Sequence, residues 1–249
     1  MRKEFLPEGD SYEIFVKASD KYNQVSDIVS YKLTEVVSFK VRFLNGKDQE
    51  IHQDSPLVRA LGAKINLTKE PFILEVLEQL NKQYTLIDGP ISEEEIEVNK
   101  VKPFVEYKFI GRLTFMSLPE ALDFGTKYAT SDRLRIDNPK VQGEPLVVSD
   151  TREDSAGWTL TAKLSKELLN EDGKTSLKDA IRYKNGKKEI FLNDQALPIV
   201  RKEMTSYYDI SEDWDPTGDG FKLEGSRRTI SDALGKYDGE ILFELGATP

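Results

Sequence analysis

Pro145-Leu-Val-Val-Ser-Asp-Thr-Arg-Glu-Asp-Ser-Ala-Gly-Trp-Thr-Leu-Thr-Ala-Lys-Leu164 carries the clearest architectural signal in the chain. It reads as a strand running to Val148, a turn from Asp150 to Gly157, and a second strand opening on Trp158. Side chains of a strand alternate between its two faces. Trp158, Leu160, Ala162 and Leu164 therefore share one face, and Thr159, Thr161 and Lys163 share the other. Between the strands, Asp150 and Arg152 read as a pair closing the turn around Gly157.

The same β pattern extends in both directions from Gly111 to the end of the sequence. Strand-like runs recur at Arg112–Met116, Leu134–Ile136, Pro145–Val148, Trp158–Leu164, Ile181–Tyr183, Lys188–Leu192, Phe221–Leu223 and Ile241–Leu245. Gly and Pro separate many of them, and such short regular strands predict a β-sandwich or barrel-like domain over residues 111–249. Lys166–Asn170 and Lys178–Ile181 each have room for a single helical turn.

Upstream, residues 36–110 mix the two periods. Val37–Phe43 alternates, Asn45-Gly46 signals a tight turn, and Gln49–His52 continues as a strand. A helix is expected after Thr68 as N-cap, with Pro71 in its first turn. Phe72, Ile73, Val76, Leu77 and Leu80 form its apolar stripe. Tyr84–Ile87 and Phe104–Ile110 complete a small α+β domain with one helix on a sheet. The acidic run Pro90–Val98 reads as a solvated loop or edge strand. Residues 1–35 hold two alternating strands, Tyr12–Ala18 and Ile28–Thr34, a hairpin that cannot bury a core by itself. The predicted fold class is thus mainly β, with one helix.

Composition narrows function. The chain has 249 residues, 38% hydrophobic and 32% charged, with a net charge of −9 spread over its length. No basic cluster is interleaved with aromatics, which argues against nucleic acid and against anionic membrane surfaces. No apolar run reaches membrane-spanning length. Cysteine is absent, which suits a reducing cytosol or an exported protein without disulfides. Met1-Arg-Lys-Glu-Phe5 lacks a following signal core, so the sequence is either cytoplasmic or a piece of something longer; the incomplete first unit favours the latter.

Little in the chain suits catalysis. His52 is the sole histidine and has no nucleophile motif beside it, and no Cys/His cluster or Gly-rich phosphate loop exists. A non-enzyme without cofactor is expected. Asp213-Trp-Asp-Pro-Thr-Gly-Asp-Gly-Phe-Lys-Leu-Glu224 matches a calcium-loop spacing in outline. Asp213, Asp215, Thr217, Asp219 and Glu224 take the ligand positions, but Pro216, Thr217 and the lack of flanking helices favour an acidic surface loop.

Leu113–Gly125, Leu146–Arg152, Gly157–Leu164, Ala180–Tyr183 and Tyr237–Leu245, taken in order, resemble the WxL domain of Gram-positive surface proteins, over residues 111–249. In its opening segment the resemblance implies a strand ending in a proline turn at Pro119. In the distal motif Phe243 stands where the family has a second tryptophan, which keeps a flat apolar surface and loses the indole N–H. Residues 38–110 resemble a mucin-binding-protein repeat, which implies a β-grasp-like layout. Tyr12–Thr34 with Pro7–Asp10 resembles the last strands of a bacterial immunoglobulin-like repeat.

These resemblances imply an exported protein on the Gram-positive wall, associating non-covalently with peptidoglycan, another wall polymer or co-assembled WxL-interacting proteins. Trp158, Leu160, Asp150, Arg152, Tyr237, Phe243 and Leu245 are the candidate binding residues. As an in-facing strand residue Trp158 also reads as core, so the motif can define the binding fold without touching a ligand. The alternative is adhesion to host glycoprotein or matrix through residues 36–110, with the C-terminal domain as anchor. A wall-active hydrolase is the remote third reading.

Overall fold

Period-two alternation and Gly/Pro punctuation give a mainly β molecule in the computed structural model, which describes residues 12–22, 24, 25, 29–127, 133–203, 205–226 and 235–248. Pro7–Asp10 lies outside the described residues. The chain divides into two units, residues 1–110 and 111–249.

In the first unit, β1 (Tyr12–Val16) and β2 (Val29–Leu33) pair antiparallel as a hairpin. Then follow β3 (Val36–Asn45), β4 (Glu50–Ala60), β5 (Lys64–Ile65), α1 (Pro71–Asn81), β6 (Tyr84–Asp88), β7 (Ile96–Glu97) and β8 (Phe104–Gly111). The sheet order is β4-β3-β8-β6, with β3 and β8 parallel and β3–β4 antiparallel. A hairpin, a crossing helix and a central parallel pair make this a β-grasp-like layout. Ile73, Val76 and Leu80 of α1 pack on Phe39, Val41, Phe43, Tyr107 and Phe109. Part of the acidic run becomes β7, paired with β5, and Glu93 accepts a hydrogen bond from the buried Tyr107 hydroxyl at 2.9 Å.

Thr68 does not cap the helix: it lies in a 3-10 turn, Leu67–Lys69, and donates to Asn66 at 2.6 Å, while Glu70 is the N-cap residue and makes no side-chain cap bond. Pro71 at the first helical position removes a donor that would otherwise need capping, so the helix starts without one. At Asn45-Gly46 the turn does form, but Asp48, not the glycine, takes the left-handed conformation (φ 59°). Asn45 Oδ1 accepts from the Lys47 and Gln49 amides and closes the loop.

The second unit contains β9 (Leu113–Asp123), β10 (Arg133–Ile136), β11 (Lys140–Asp150), β12 (Trp158–Asn170), β13 (Ile181–Asn185), β14 (Lys188–Phe191), β15 (Leu197–Lys202), β16 (Tyr207–Asp209), β17 (Gly220–Ser226) and β18 (Tyr237–Ala247). They form three sheets, β10-β17-β13-β14, β16-β11-β9 and β15-β12-β18, around one core of β-sandwich character. Leu146, Val148, Trp158, Leu160, Ile181, Tyr183, Ile199 and Phe221 are its buried centre.

Here too the tertiary structure overrides local signals. Lys166–Asn170 is the far end of β12, not a helical turn, because Lys166, Leu169 and Asn170 find partners in β18. Lys178–Ile181 is not helical either: Asp179 has φ 52° and Ile181 opens β13 opposite Leu223. Pro119 does not end its strand. It sits in β9 opposite Gly143, where the register shifts, on an edge strand that can spare an amide donor.

Candidate functional site

The strongest clustering of sequence-nominated residues is built on β12 and its neighbours. In β12 the alternation places Trp158, Leu160 and Ala162 inward, each 0% exposed. β18 runs antiparallel beside it, with Leu245 opposite Leu160 and Phe243 opposite Ala162. Phe243 packs against the same core and meets Phe221 edge-on, centroids 6.0 Å apart. Trp158, Leu160, Phe243 and Leu245, far apart in sequence, thus form one inward patch. Tyr237 pairs with Asn170 at the opposite end of the strands and joins the core margin. The Trp158 indole N–H donates to the Thr205 carbonyl at 3.4 Å, and its ring lies tilted on Tyr208.

The turn that delivers Trp158 is locked by charge. Asp150, buried at the end of β11, accepts from Arg152 Nε and Nη2, both at 2.8 Å. Ser155 donates its hydroxyl to the same carboxylate, and Arg152 Nη2 reaches the Gly157 carbonyl at 2.9 Å. Burial opposes ionisation of Asp150, but the guanidinium and hydroxyl donors outweigh it and hold the carboxyl below its ordinary range. Gly157 has φ 117°, and a Cβ there would lie 2.3 Å from the Lys202 carbonyl oxygen. Only glycine lets the turn pass this close to β15.

The calcium-loop candidates are dispersed among structural partners. Asp213 accepts from the Tyr208 hydroxyl at 2.6 Å. Asp215 Oδ1 turns back to the Thr217 amide and hydroxyl, both at 2.7 Å. Asp219 accepts from the Gly186 amide at 2.6 Å. Glu224 lies in β17 and faces Arg135 at 2.7 Å and Arg182 at 3.5 Å. His52 lies in β4, its Nδ1 2.9 Å from the Gln53 carbonyl and its ring edge-on to Phe43.

Sequence reasoning overlooked a charged lattice on the outer face of β10-β17-β13-β14. Arg135 bridges Glu189, Glu224 and Asp137, and Arg182 bridges Glu189 and Glu224 while lying 4.2 Å over the Phe191 ring. Arg135 holds the Glu189 carboxyl below its ordinary value. A signal was present: Arg135, Arg182, Lys222 and Glu224 alternate with in-facing Leu134, Ile136, Ile181, Tyr183, Phe221 and Leu223. Trp214 was overlooked as well. It is buried against Phe221, and Gly220, with φ 108°, leaves room for its ring.

No family model matches the chain, and no curated protein matches it. Among solved structures, it is similar to a chain from the work titled "Chaperone-tip adhesin complex is vital for synergistic activation of CFA/I fimbriae biogenesis". The identity is 9% and the TM-score 0.35, over 99% of this chain and 78% of that one, a likeness too low to carry an argument about fold or partners.

Proposed function

We propose that this is a non-catalytic surface protein that associates non-covalently with the Gram-positive wall, or with surface-protein partners, through a WxL-like domain spanning residues 111–249. The observation supporting it is the direct pairing of the two motif strands, Trp158–Leu164 with Ile241–Ala247, around a locked Asp150–Arg152 turn. Separated motifs that converge in one sheet act as one unit. Because Trp158 and Leu160 are fully buried, their role is to define the fold. The ligand meets the outward face of β12 and β18, where Thr159, Thr161, Lys163, Leu242 and Glu244 lie. The full chain should sediment with purified Gram-positive cell walls. Substituting outward Thr161 and Leu242 together should weaken that sedimentation without changing the thermal midpoint. Absence of binding both to walls and to co-encoded surface proteins would defeat the proposal.

A second reading, adhesion to host glycoprotein through residues 36–110, draws on exposed apolar side chains in that unit. Ile87 on edge strand β6 and Ile91 and Val101 in loops face solvent. Binding of the full chain to immobilised mucin, lost in an Ile87→Ser/Ile91→Ser variant, would favour it over wall association.

A further inference from the structure

Lys222 is 1% exposed, on the face of β17 opposite to in-facing Phe221 and Leu223. A buried ammonium is costly unless its protons are all accepted. Among the described residues no carboxylate pairs with it directly. Instead Nζ donates to three main-chain carbonyl oxygens: Asp137, Asp215 at 2.8 Å and Asp219 at 3.4 Å. Convergent main-chain carbonyl oxygens are one of the ligand types, beside carboxylates and water, with which proteins hold hard cations. Two of these carbonyls belong to the loop with calcium-like spacing, and Lys222 is the tenth residue of that same twelve-residue stretch. The loop's own carboxylates are turned elsewhere, Asp215 to Thr217 and Asp219 to Gly186. Lys184 adds a second tether, donating to the Thr217 carbonyl at 2.9 Å.

We propose that Lys222 is a tethered substitute for a bound metal ion. Its ammonium fills the cation position of the 213–219 loop and organises that loop without metal, and its removal leaves an oxygen-lined hollow suited to a calcium-class divalent cation. Burial pushes the Lys222 amine below its ordinary value, and the Lys184 and Arg135 charges add to that while the Asp137 and Asp215 charges pull it back up. The arrangement also accounts for the odd composition of the stretch. Carboxylates stand at cation-loop spacing, yet a lysine is among them.

Thermal melts of the full chain with and without millimolar calcium chloride test this. The wild-type midpoint should not move with calcium. Lys222→Ala should melt lower and recover by about 5 °C when calcium is added. Lys222→Met, whose side chain fills the hollow with apolar atoms, should melt lower and not recover. A folded Lys222→Ala that ignores calcium, or a wild type that responds as strongly as the variant, overturns the proposal. If Lys222→Ala does not fold in either condition, proton exchange at the wild-type Lys222 ammonium decides. A caged ammonium gives a slowly exchanging nitrogen-proton resonance in NMR, whereas exchange as fast as that of surface lysines overturns the assignment.

Discussion

Phe243 stands directly opposite Ala162 on antiparallel strands, its ring directed into the space beside the smallest side chain of the β12 inner face. That pairing joins β18 to β12, and Phe221 closes the space from a neighbouring sheet. Phe243→Ala should cost about 2–3 kcal/mol, below the usual range for fully buried aromatics because the ring is only partly covered. Phe243→Trp adds volume at a filled site and should cost about 1–2 kcal/mol. Urea denaturation of both variants checks the order; a Trp variant more stable than wild type would show that the site has spare room.

Gly157 is irreplaceable by the geometry of its backbone. Gly157→Ala combines a positive φ with a contact of 2.3 Å to the Lys202 carbonyl, and should destabilise by about 2 kcal/mol or more. The exposed Gly186, whose added Cβ would meet nothing, provides the comparison at φ 59°. Its alanine variant should lose less, read as a smaller drop in thermal midpoint.

Asp150 predicts an acid limb. Its folded pKa is held below the ordinary 3.8, so its contribution is present above that value and is lost as pH falls beneath it. Asp150→Asn should lower stability at neutral pH by about 2–3 kcal/mol, discounted from a fully buried pair because Arg152 keeps some solvent contact. Its stability should also fall less steeply in acid. Stability measured against pH for the two proteins tests both statements, and parallel curves would remove Asp150 from the acid transition.

Tyr183 predicts the opposite limb. Burial, aided by the nearby Asp219 and Asp213 charges, pushes its phenol from 10.0 up to about 12. The stabilisation is intact below 10.0 and is lost as pH rises toward 12. Tyr183→Phe should flatten the alkaline fall in stability over that window, and absorbance titration should show one tyrosine fewer among those ionising late.

Burial separates two glutamates of the same domain. Glu224 is buried and shared by Arg135 and Arg182, whereas Glu244 pairs with Lys163 at the surface. Glu224→Ala should cost about 3 kcal/mol and Glu244→Ala less than about 1 kcal/mol. Raised salt should not diminish the first effect, since a buried pair is screened little. Equal costs would mean that the lattice is as solvated as a surface pair.

Much of the fold was legible because its signals are local. The inward set Trp158, Leu160 and Ala162 follows from period two alone, and Ile73, Val76 and Leu80 from helical spacing. Locally ambiguous segments misled where a distant partner settled the outcome. Lys166–Asn170 has residues that suit a helical turn, but β18 supplies the hydrogen bonds that keep it extended. Pro119 reads as a stop, yet an edge position opposite a register shift accommodates it. Strands β15 and β16 carry too short or too mixed an alternation to stand out before β12 and β11 pair with them.

By itself the sequence determined the mainly β class, helix α1, the inward face of β12 from Trp158 to Ala162 and the spacing of carboxylates in residues 213–224. These depend on neighbours within a few positions along the chain. Only the tertiary structure decided that β12 and β18 are adjacent, that Glu224 answers two arginines, and that the Lys222 ammonium enters its own loop. Such relations depend on which strands become neighbours and which faces are covered, and side-chain periodicity does not encode either.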